Sequence, residues 1–214
     1  MKVALPFSGG IDSTAALFLL IENGHSVYPI TLDYGQKCGL EIEHAARLAN
    51  FLSTRIHKET ILGEFPKSAR IDPALDLPKC GNELEAAEEC SVPGLYFQII
   101  SSTLRHAISN KCDAICLPFS LAASQFYPEF DEIGLRASAL VINQGSGGKI
   151  KAIMPFNNSS KMTLLQMLDA ANAPYWMTYS CMTGEEDCGD CPKCVIRKSL
   201  LEELIYRHPV KPER

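Results

Sequence analysis

No apolar run in the 214 residues approaches the roughly 20 that a bilayer-spanning helix needs. The opening MKVALPFSGG is too short in its apolar part to be a signal peptide, so a non-exported protein with no membrane partner is expected. Positive charge is scarce too: 20 Lys and Arg stand against 25 Asp and Glu, a formal charge of −5. Such a surface lacks the basic field that duplex nucleic acid demands, and direct DNA binding is not expected. Internal repeats and low-complexity tracts are also missing. What remains is a globular chain, 46% hydrophobic and near the upper size for one core. Its nine cysteines are odd in number, which argues against a simple disulfide framework and for a reducing cytoplasm.

The hydrophobic pattern alternates strand and helix. Val3–Phe7 reads as a short strand ended by Ser-Gly-Gly, and the helical run from Asp12 closes at Gly24. Val27–Leu32 reads as a second strand, Glu41–Leu52 as a helix and Thr54–His57 as a third strand. Two successive βαβ units imply a parallel sheet. Residues 63–92 break this rhythm with Pro66, Pro73, Pro78, two cysteines and an acidic patch at Glu83–Glu89, as an insertion or lid would. The rhythm resumes with a helix over Gly94–Asn110, a strand over Ala114–Leu117 and a helix over Glu129–Ile142. An edge strand at Ile150–Met154 and helices over Lys161–Ala170 and Val195–Tyr206 complete it. The expected fold is α/β, a doubly wound, mostly parallel, Rossmann-like sheet. Residues 1–178 form the main domain, and 179–214 a small metal-binding segment with a final helix.

Ser8-Gly9-Gly10-Ile11-Asp12-Ser13-Thr14 sits where the first strand gives way to a helix, the place where unpaired N–H groups and the helix dipole converge on an anion. The two glycines permit close approach of a phosphate. Ser8 and Ser13 or Thr14 offer hydroxyls, and Asp12 is suited to orient the loop or to hold Mg²⁺ beside a phosphate. The lysine of a Walker loop and the third glycine of a dinucleotide fingerprint are both missing, which excludes those two classes. A simpler reading remains open, in which Asp12 or Ser13 merely caps the helix.

Cys181, Cys188, Cys191 and Cys194 place four soft ligands within fourteen residues, with Gly184 and Gly189 supplying turns. No histidine lies nearby and no coordination position is left open, so a structural Zn²⁺ is expected, with an iron–sulfur cluster as the competitor. Cys112 and Cys116 read as buried packing residues. Nothing in the sequence around Cys80 or Cys90 lowers a thiol pKa.

SGGIDST after the first strand resembles the pyrophosphate loop of the N-type ATP pyrophosphatases. Asp33-Tyr34-Gly35-Gln36, Val92-Pro93-Gly94, Tyr127-Pro128-Glu129, Lys161 and the cysteine cluster are similar in order and spacing to the 7-cyano-7-deazaguanine synthase (QueC) family, from about Val3 to Leu204. That resemblance implies an adenine nucleotide alpha hydrolase-like fold, ATP, Mg²⁺ and Zn²⁺, a homodimer, and a deazapurine substrate with ammonia or another amine. It implies catalytic roles for Asp12, Ser13 and Lys161. Ser8, Gly9, Gly10, Asp12, Ser13, Thr14, Asp33, Tyr34 and Gln36 would then hold ATP, with Asp33 along the adenine and ribose and Gln36 near the mouth. Tyr127, Glu129 and Gly94 would bind the deazapurine, Glu129 accepting hydrogen bonds from its amidine edge. Arg197 resembles a family arginine held near the site.

Two positions depart from the family pattern. Its Val-Pro-Gly-Arg-Asn reads Val92-Pro93-Gly94-Leu95-Tyr96 here, and its Tyr-Pro-Asp-Cys-Arg ends in Phe130-Asp131. The implied chemistry is adenylation of the carboxylate of 7-carboxy-7-deazaguanine, then amide and nitrile formation with ammonia. The departures keep two alternatives in view: a ligase, of a kind associated with phage defence, that joins the activated acid to an amine of another molecule or protein, and a non-catalytic nucleotide-binding subunit. Whichever holds, Cys191→Ser should strip the metal and loosen the C-terminal segment, read by elemental analysis and limited proteolysis; a full metal complement in that variant would refute the ligand set.

Overall fold

The computed structural model describes residues 1–61, 63–78, 86, 88–119, 127–184 and 186–207. Five strands, β1 (Lys2–Pro6), β2 (Ser26–Asp33), β3 (His57–Thr60), β4 (Ala114–Cys116) and β5 (Lys151–Ile153), form one parallel sheet in the order β3-β2-β1-β4-β5. The helices are α1 (Ile11–Glu22), α2 (Leu40–Phe51), α3 (Leu95–Ser109), α4 (Glu132–Gly145), α5 (Lys161–Ala170) and α6 (Pro192–Arg207), with short 3₁₀ turns at Pro128–Phe130 and Tyr175–Met177.

The pleat of β1 sorts the core into two layers, because alternate side chains leave opposite faces of a strand. Val3, Leu5 and Phe7 pack with α1, α2 and α5 on one face, joined by Leu204 of α6. Ala4, with Ile115 and Leu117, packs against α3 and α4 on the other. Right-handed crossovers put the helices there: the chain winds from β1 outward to β3 over one face, then returns past β1 to β4 and β5 over the other. The reversal at β1 opens a crevice beyond the strands' carboxyl ends, the place where ligands of doubly wound sheets bind. The doubly wound parallel architecture expected from the sequence is therefore the one observed, and no helix among the described residues is long and apolar enough to cross a membrane.

Several boundaries differ from the expected ones for identifiable reasons. The third strand lies at His57–Thr60, three residues beyond Thr54–His57. Ser53 (φ 55°) ends α2 in a left-handed turn, Thr54 N–H returns to Ala49 O at 2.9 Å, and pairing starts only where His57 comes level with Ile30. The fourth helix begins at Glu132, not Glu129, because Asp131 accepts a hydrogen bond from Gly134 N–H at 2.7 Å as N-cap. The last helix begins at Pro192, three residues before Val195, since a proline at the first helical position has its φ already set. The first helix has Gly10 as N-cap with no side-chain cap, so neither Asp12 nor Ser13 plays the capping role that was left open.

The insertion packs back onto the sheet: Lys37 N–H donates to Arg70 O at 3.0 Å, and Ala69 N–H to Glu89 O at 2.8 Å. Cys80, Glu83 and Glu85 of the acidic patch, Ser120 to Gln125 and the HPVKPER tail from His208 onward lie outside the described residues. Gly134 has a steric reason to be glycine. A Cβ there would lie 2.3 Å from Glu129 O, a backbone atom that cannot swing aside. Gly134→Ala is expected to cost about 1–3 kcal/mol, as overpacking does, visible as a lowered melting temperature; an unchanged melt would show that the Pro128–Phe130 turn relaxes freely.

Candidate active site

The loop after β1 is held from three sides. Phe7 N–H donates to Ile30 O at 2.8 Å, Thr31 Oγ1 donates to Phe7 O at 2.8 Å, and Tyr179 N–H donates to Gly9 O at 3.0 Å. Gly9 turns with φ +76°, and a Cβ there would meet Ala45 Cα of α2 at 3.0 Å. Ser13 Oγ donates to Gly10 O at 3.2 Å and lies 3.4 Å from Ser8 Oγ. Lys161, at the start of α5, brings its ammonium to 4.0 Å from Asp12 Oδ2, beside the loop. Thr14 is fully buried and lines neither cavity described below, and its hydroxyl has no hydrogen-bond partner among the described residues.

Polar groups of the Asp33–Gln36 loop mostly close the loop itself. Asp33 pairs with Lys58 on β3 at 2.9 Å and accepts Gly35 N–H at 3.2 Å. The Lys58 hydrogen bond, the largest influence on it, holds the Asp33 carboxyl below its ordinary pKa. Its carboxylate is thus engaged on the β3 side and lines neither cavity, while Leu32 and Tyr34 on either side of it line the second. Gln36 lines the second cavity but is itself buried: it accepts Tyr34 N–H at 2.9 Å and donates to Leu32 O at 3.3 Å.

Two cavities meet at the phosphate loop. The first, about 200 Å³, is polar and cationic, walled by Ser8, Gly10, Asp12 and Ser13 with Lys161, Arg197 and the backbone around Ser180. The second, about 250 Å³, runs under the carboxyl ends of β1 and β2 to an aromatic wall. There Phe119 and Phe130 stack at 4.5 Å between centroids, Tyr96 stands edge-on to both at 4.8 and 4.6 Å, and Tyr127 meets Phe130 at 5.8 Å. Glu129 lies in the same wall. Gly94, at φ 82°, is the N-cap of α3 and touches neither cavity; its part is to turn the chain so that Leu95 and Tyr96 face inward. Ser8, Asp12, Ser13, Glu41, Arg70 and Lys193 border both cavities.

Arg70, Lys193, Tyr96, Phe119 and Phe130 escaped the sequence reading. Arg70 sits in the irregular insertion, where no periodicity assigns a side chain to a face, and Lys193 is masked by its place between two ligand-type cysteines. Only the aromatic spacing around Tyr127 offered a signal for Phe130. Arg70's positive charge, followed by burial, lowers the Lys193 ammonium to about 8.

The four clustered cysteines converge. Their Sγ atoms lie within 4.8 Å of one another, and those of Cys188 and Cys194 are 3.9 Å apart, near the roughly 3.8 Å edge of a tetrahedron with 2.3 Å metal–sulfur bonds. Although burial pushes the Cys181 thiol up, hydrogen bonds from Thr183 and Cys188 bring it down to about 6. The donor set fits a thiophilic metal ion. Cys38 and Cys90 pack beside the cluster, and Cys38 Sγ lies 3.2 Å from Tyr179 Oη. Cys112 and Cys116 are buried in the core as expected, the latter pushed up to about 12 by burial.

Comparison with known proteins gives one consistent picture. The family profile described as "Queuosine biosynthesis protein QueC" matches residues 2–205. A 7-cyano-7-deazaguanine synthase of Acetivibrio thermocellus is 32% identical over 202 residues, covering 92% of this chain and 90% of that one. Another, from Oceanobacillus iheyensis, is 29% identical over 216 residues, covering 98% and 97%. Among solved structures, the fold is similar to the U34-tRNA thiolase NcsA from Methanococcus maripaludis with its [4Fe-4S] cluster (TM-score 0.52, 20% identity, 98% of this chain and 68% of that one). NMN synthetase from Francisella tularensis is similar too (TM-score 0.51, 13% identity, 99% and 78%).

Gly9→Ala forces a side chain into a left-handed turn and against the α2 backbone. It is expected to destabilise the protein by about 1–3 kcal/mol and to weaken binding of a non-hydrolysable ATP analogue at least tenfold in calorimetry. Unaltered nucleotide affinity would separate the turn from the phosphate site.

Proposed function

The chain belongs to the QueC family of queuosine biosynthesis proteins, and from that membership we propose that it adenylates the carboxylate of 7-carboxy-7-deazaguanine and passes the activated acid to ammonia. The observation that carries this reading is the junction of a cationic cavity and an aromatic cavity at one phosphate loop. A flat heterocycle stacks among Tyr96, Phe119, Tyr127 and Phe130, while Glu129 accepts hydrogen bonds from its amidine edge. The ATP phosphates lie across Gly10 and the hydroxyls of Ser8 and Ser13, on the side of Lys161 and Arg197.

The chemistry requires ATP because oxide is a poor leaving group from a carboxylate and AMP is a good one. A carboxylate oxygen attacks the α-phosphorus and pyrophosphate leaves. Ammonia then adds to the acyl carbon, a proton is lost and AMP departs, giving the amide; a second ATP activates the amide oxygen, and loss of AMP and two protons leaves the nitrile. Lys161 neutralises charge that accumulates on the α-phosphate and the leaving pyrophosphate, and the loop positions the two reactants. Bound Mg²⁺ would shield phosphate charge, and Asp12 is the residue suited to hold it. Zn²⁺ on Cys181, Cys188, Cys191 and Cys194 would staple the segment that carries Lys193 and Arg197 to the loop.

A second reading is favoured by two side chains. Asp131, where the family pattern has arginine, caps α4, and Leu95 is buried in an apolar cluster with Tyr34 and Val92. If those losses alter the second half-reaction, another amine, including one on a protein, captures the acyl-adenylate, and the enzyme is a ligase and not a nitrile synthase.

Mass spectrometry after incubation with ATP, Mg²⁺, 7-carboxy-7-deazaguanine and ammonium decides between them. Nitrile with AMP and pyrophosphate is the expected outcome. AMP without nitrile, or a mass gain on a supplied amine, transfers the assignment to the ligase, and no AMP at all refutes both in favour of a non-catalytic nucleotide-binding subunit. Asp12→Ala should reduce pyrophosphate release at least a hundredfold with an unchanged circular dichroism spectrum.

A further inference from the structure

The wall shared by the two cavities carries a guanidinium that the loop and the aromatic chamber do not account for. Arg70 is delivered by the insertion, and its backbone is fixed independently of its side chain: its carbonyl accepts Lys37 N–H at 3.0 Å and its N–H donates to Ser68 Oγ at 3.2 Å. The guanidinium lies over the Tyr34 ring, 5.4 Å from its centroid, with 26% of the side chain exposed. Its carboxylate neighbour is Glu41, at 3.7 Å from Nη2. That is an ion pair, but it is longer than the roughly 2.7–2.9 Å of a charge-assisted hydrogen bond. Among the described residues no acceptor lies within hydrogen-bond distance of the Arg70 side chain. The planar fork, which matches a carboxylate bidentately, is therefore unspent.

Two more features of the same wall point to an anion. Tyr34 lines the second cavity, and its buried hydroxyl has no hydrogen-bond partner among the described residues. A buried polar group left in that state is costly, and a ligand oxygen would satisfy it. Lys193 lines both cavities together with Arg70. Arg70 and Lys193 are the cations bordering the second cavity. Two like charges set together beside one Glu41 carboxylate are best neutralised by an incoming anion.

The position narrows which anion. On the first-cavity side the loop, Lys161 and Arg197 already offer donors and positive charge to the phosphates of the proposed ATP. On the other side the wall is aromatic and takes a ring. A group attached to that ring reaches the junction, where an acyl oxygen must meet the α-phosphorus. We propose that Arg70 binds the carboxylate of the heteroaromatic acid at the junction of the two cavities and thereby selects the acid over its uncharged amide. This rests on the deazaguanine reading above, since that reading supplies the acid. It makes the insertion part of the substrate site, and it confines Arg70 to the acid-activating half of the reaction: an amide has no charge for the guanidinium to hold.

The test compares wild type, Arg70→Gln, Arg70→Lys and Glu41→Gln. Calorimetry measures binding of 7-carboxy-7-deazaguanine, of the corresponding 7-amide and of a non-hydrolysable ATP analogue, and circular dichroism melts report folding. Arg70→Gln should weaken acid binding about ten- to a hundredfold, the range for a hydrogen bond to a charged group, while amide and nucleotide affinities change less than about threefold. Arg70→Lys, which keeps the charge but not the fork, should fall between wild type and Arg70→Gln. Glu41→Gln, which removes the competing negative charge, should tighten acid binding. In turnover, Arg70→Gln should slow pyrophosphate release with the acid but not with the amide.

A loss confined to the ATP analogue would make Arg70 a phosphate ligand and overturn the assignment. Equal losses for all three ligands would also overturn it, in favour of a purely structural role. If wild type binds the acid and Arg70→Gln keeps the same preference for acid over amide, this inference alone fails. Failure of wild type to bind the acid refutes the deazaguanine reading, and this assignment with it.

Discussion

The left-handed turn at Gly9 is the constraint on which the rest of the site depends. A parallel strand running into a helix aims the helix's first N–H groups at one point, but only if the connecting turn is tight enough to keep them together. Gly9 achieves this so near α2 that a Cβ there would lie 3.0 Å from Ala45 Cα, and Tyr179 N–H fastens it from the far side. The loop is therefore wedged between α2 and the C-terminal segment. Its geometry belongs to the packing of three parts of the chain, and not to seven residues of motif.

That wedge explains why a metal-type cysteine cluster stands next to a nucleotide-type loop. Tyr179, two residues before Cys181, stacks on His44 at 4.4 Å and touches Cys38. The cluster holds the segment in place, and the start of α6 then projects Lys193 and Arg197 toward the cavities. Arg197 also donates to Thr178 Oγ1 and to Trp176 O, which ties α6 back to the approach to the cluster. The four cysteines, a donor set that fits a metal ion, pack with Tyr179, Met182 and Cys38 in one buried cluster. The insertion works similarly without metal: Ala69 and Cys90 pack against the cluster, so Arg70 inherits the rigidity of its neighbours.

The two cavities divide the work of binding by chemistry. Phosphates need donors and cations, and the loop, Lys161 and Arg197 line the first cavity with groups of that kind. A planar ring gains most from aromatic walls and few polar contacts, which the turn at Pro128–Phe130, α3 and Phe119 provide. Asp131 and Leu95 show how a changed residue can be absorbed: one became a helix cap and the other joined an apolar cluster, and positive charge reaches the same wall from Arg70 and Lys193.

The alternation of apolar runs by itself determined the parallel sheet, because strand and helix periods are local properties of the chain, and the glycine loop and cysteine spacing were legible for the same reason. Lys161 could be placed at the start of its helix from the pattern around it. Only the tertiary structure decided that Asp33 pairs with Lys58 on β3, that Gln36 closes its own loop, that Thr14 is fully buried, and that Gly94 turns a helix without touching a cavity. It alone decided, too, that Arg70 and Lys193 share a wall, although 123 positions separate them in the sequence. Which way an irregular segment points a side chain is set by what the folded core leaves room for, and that information does not exist until distant segments pack.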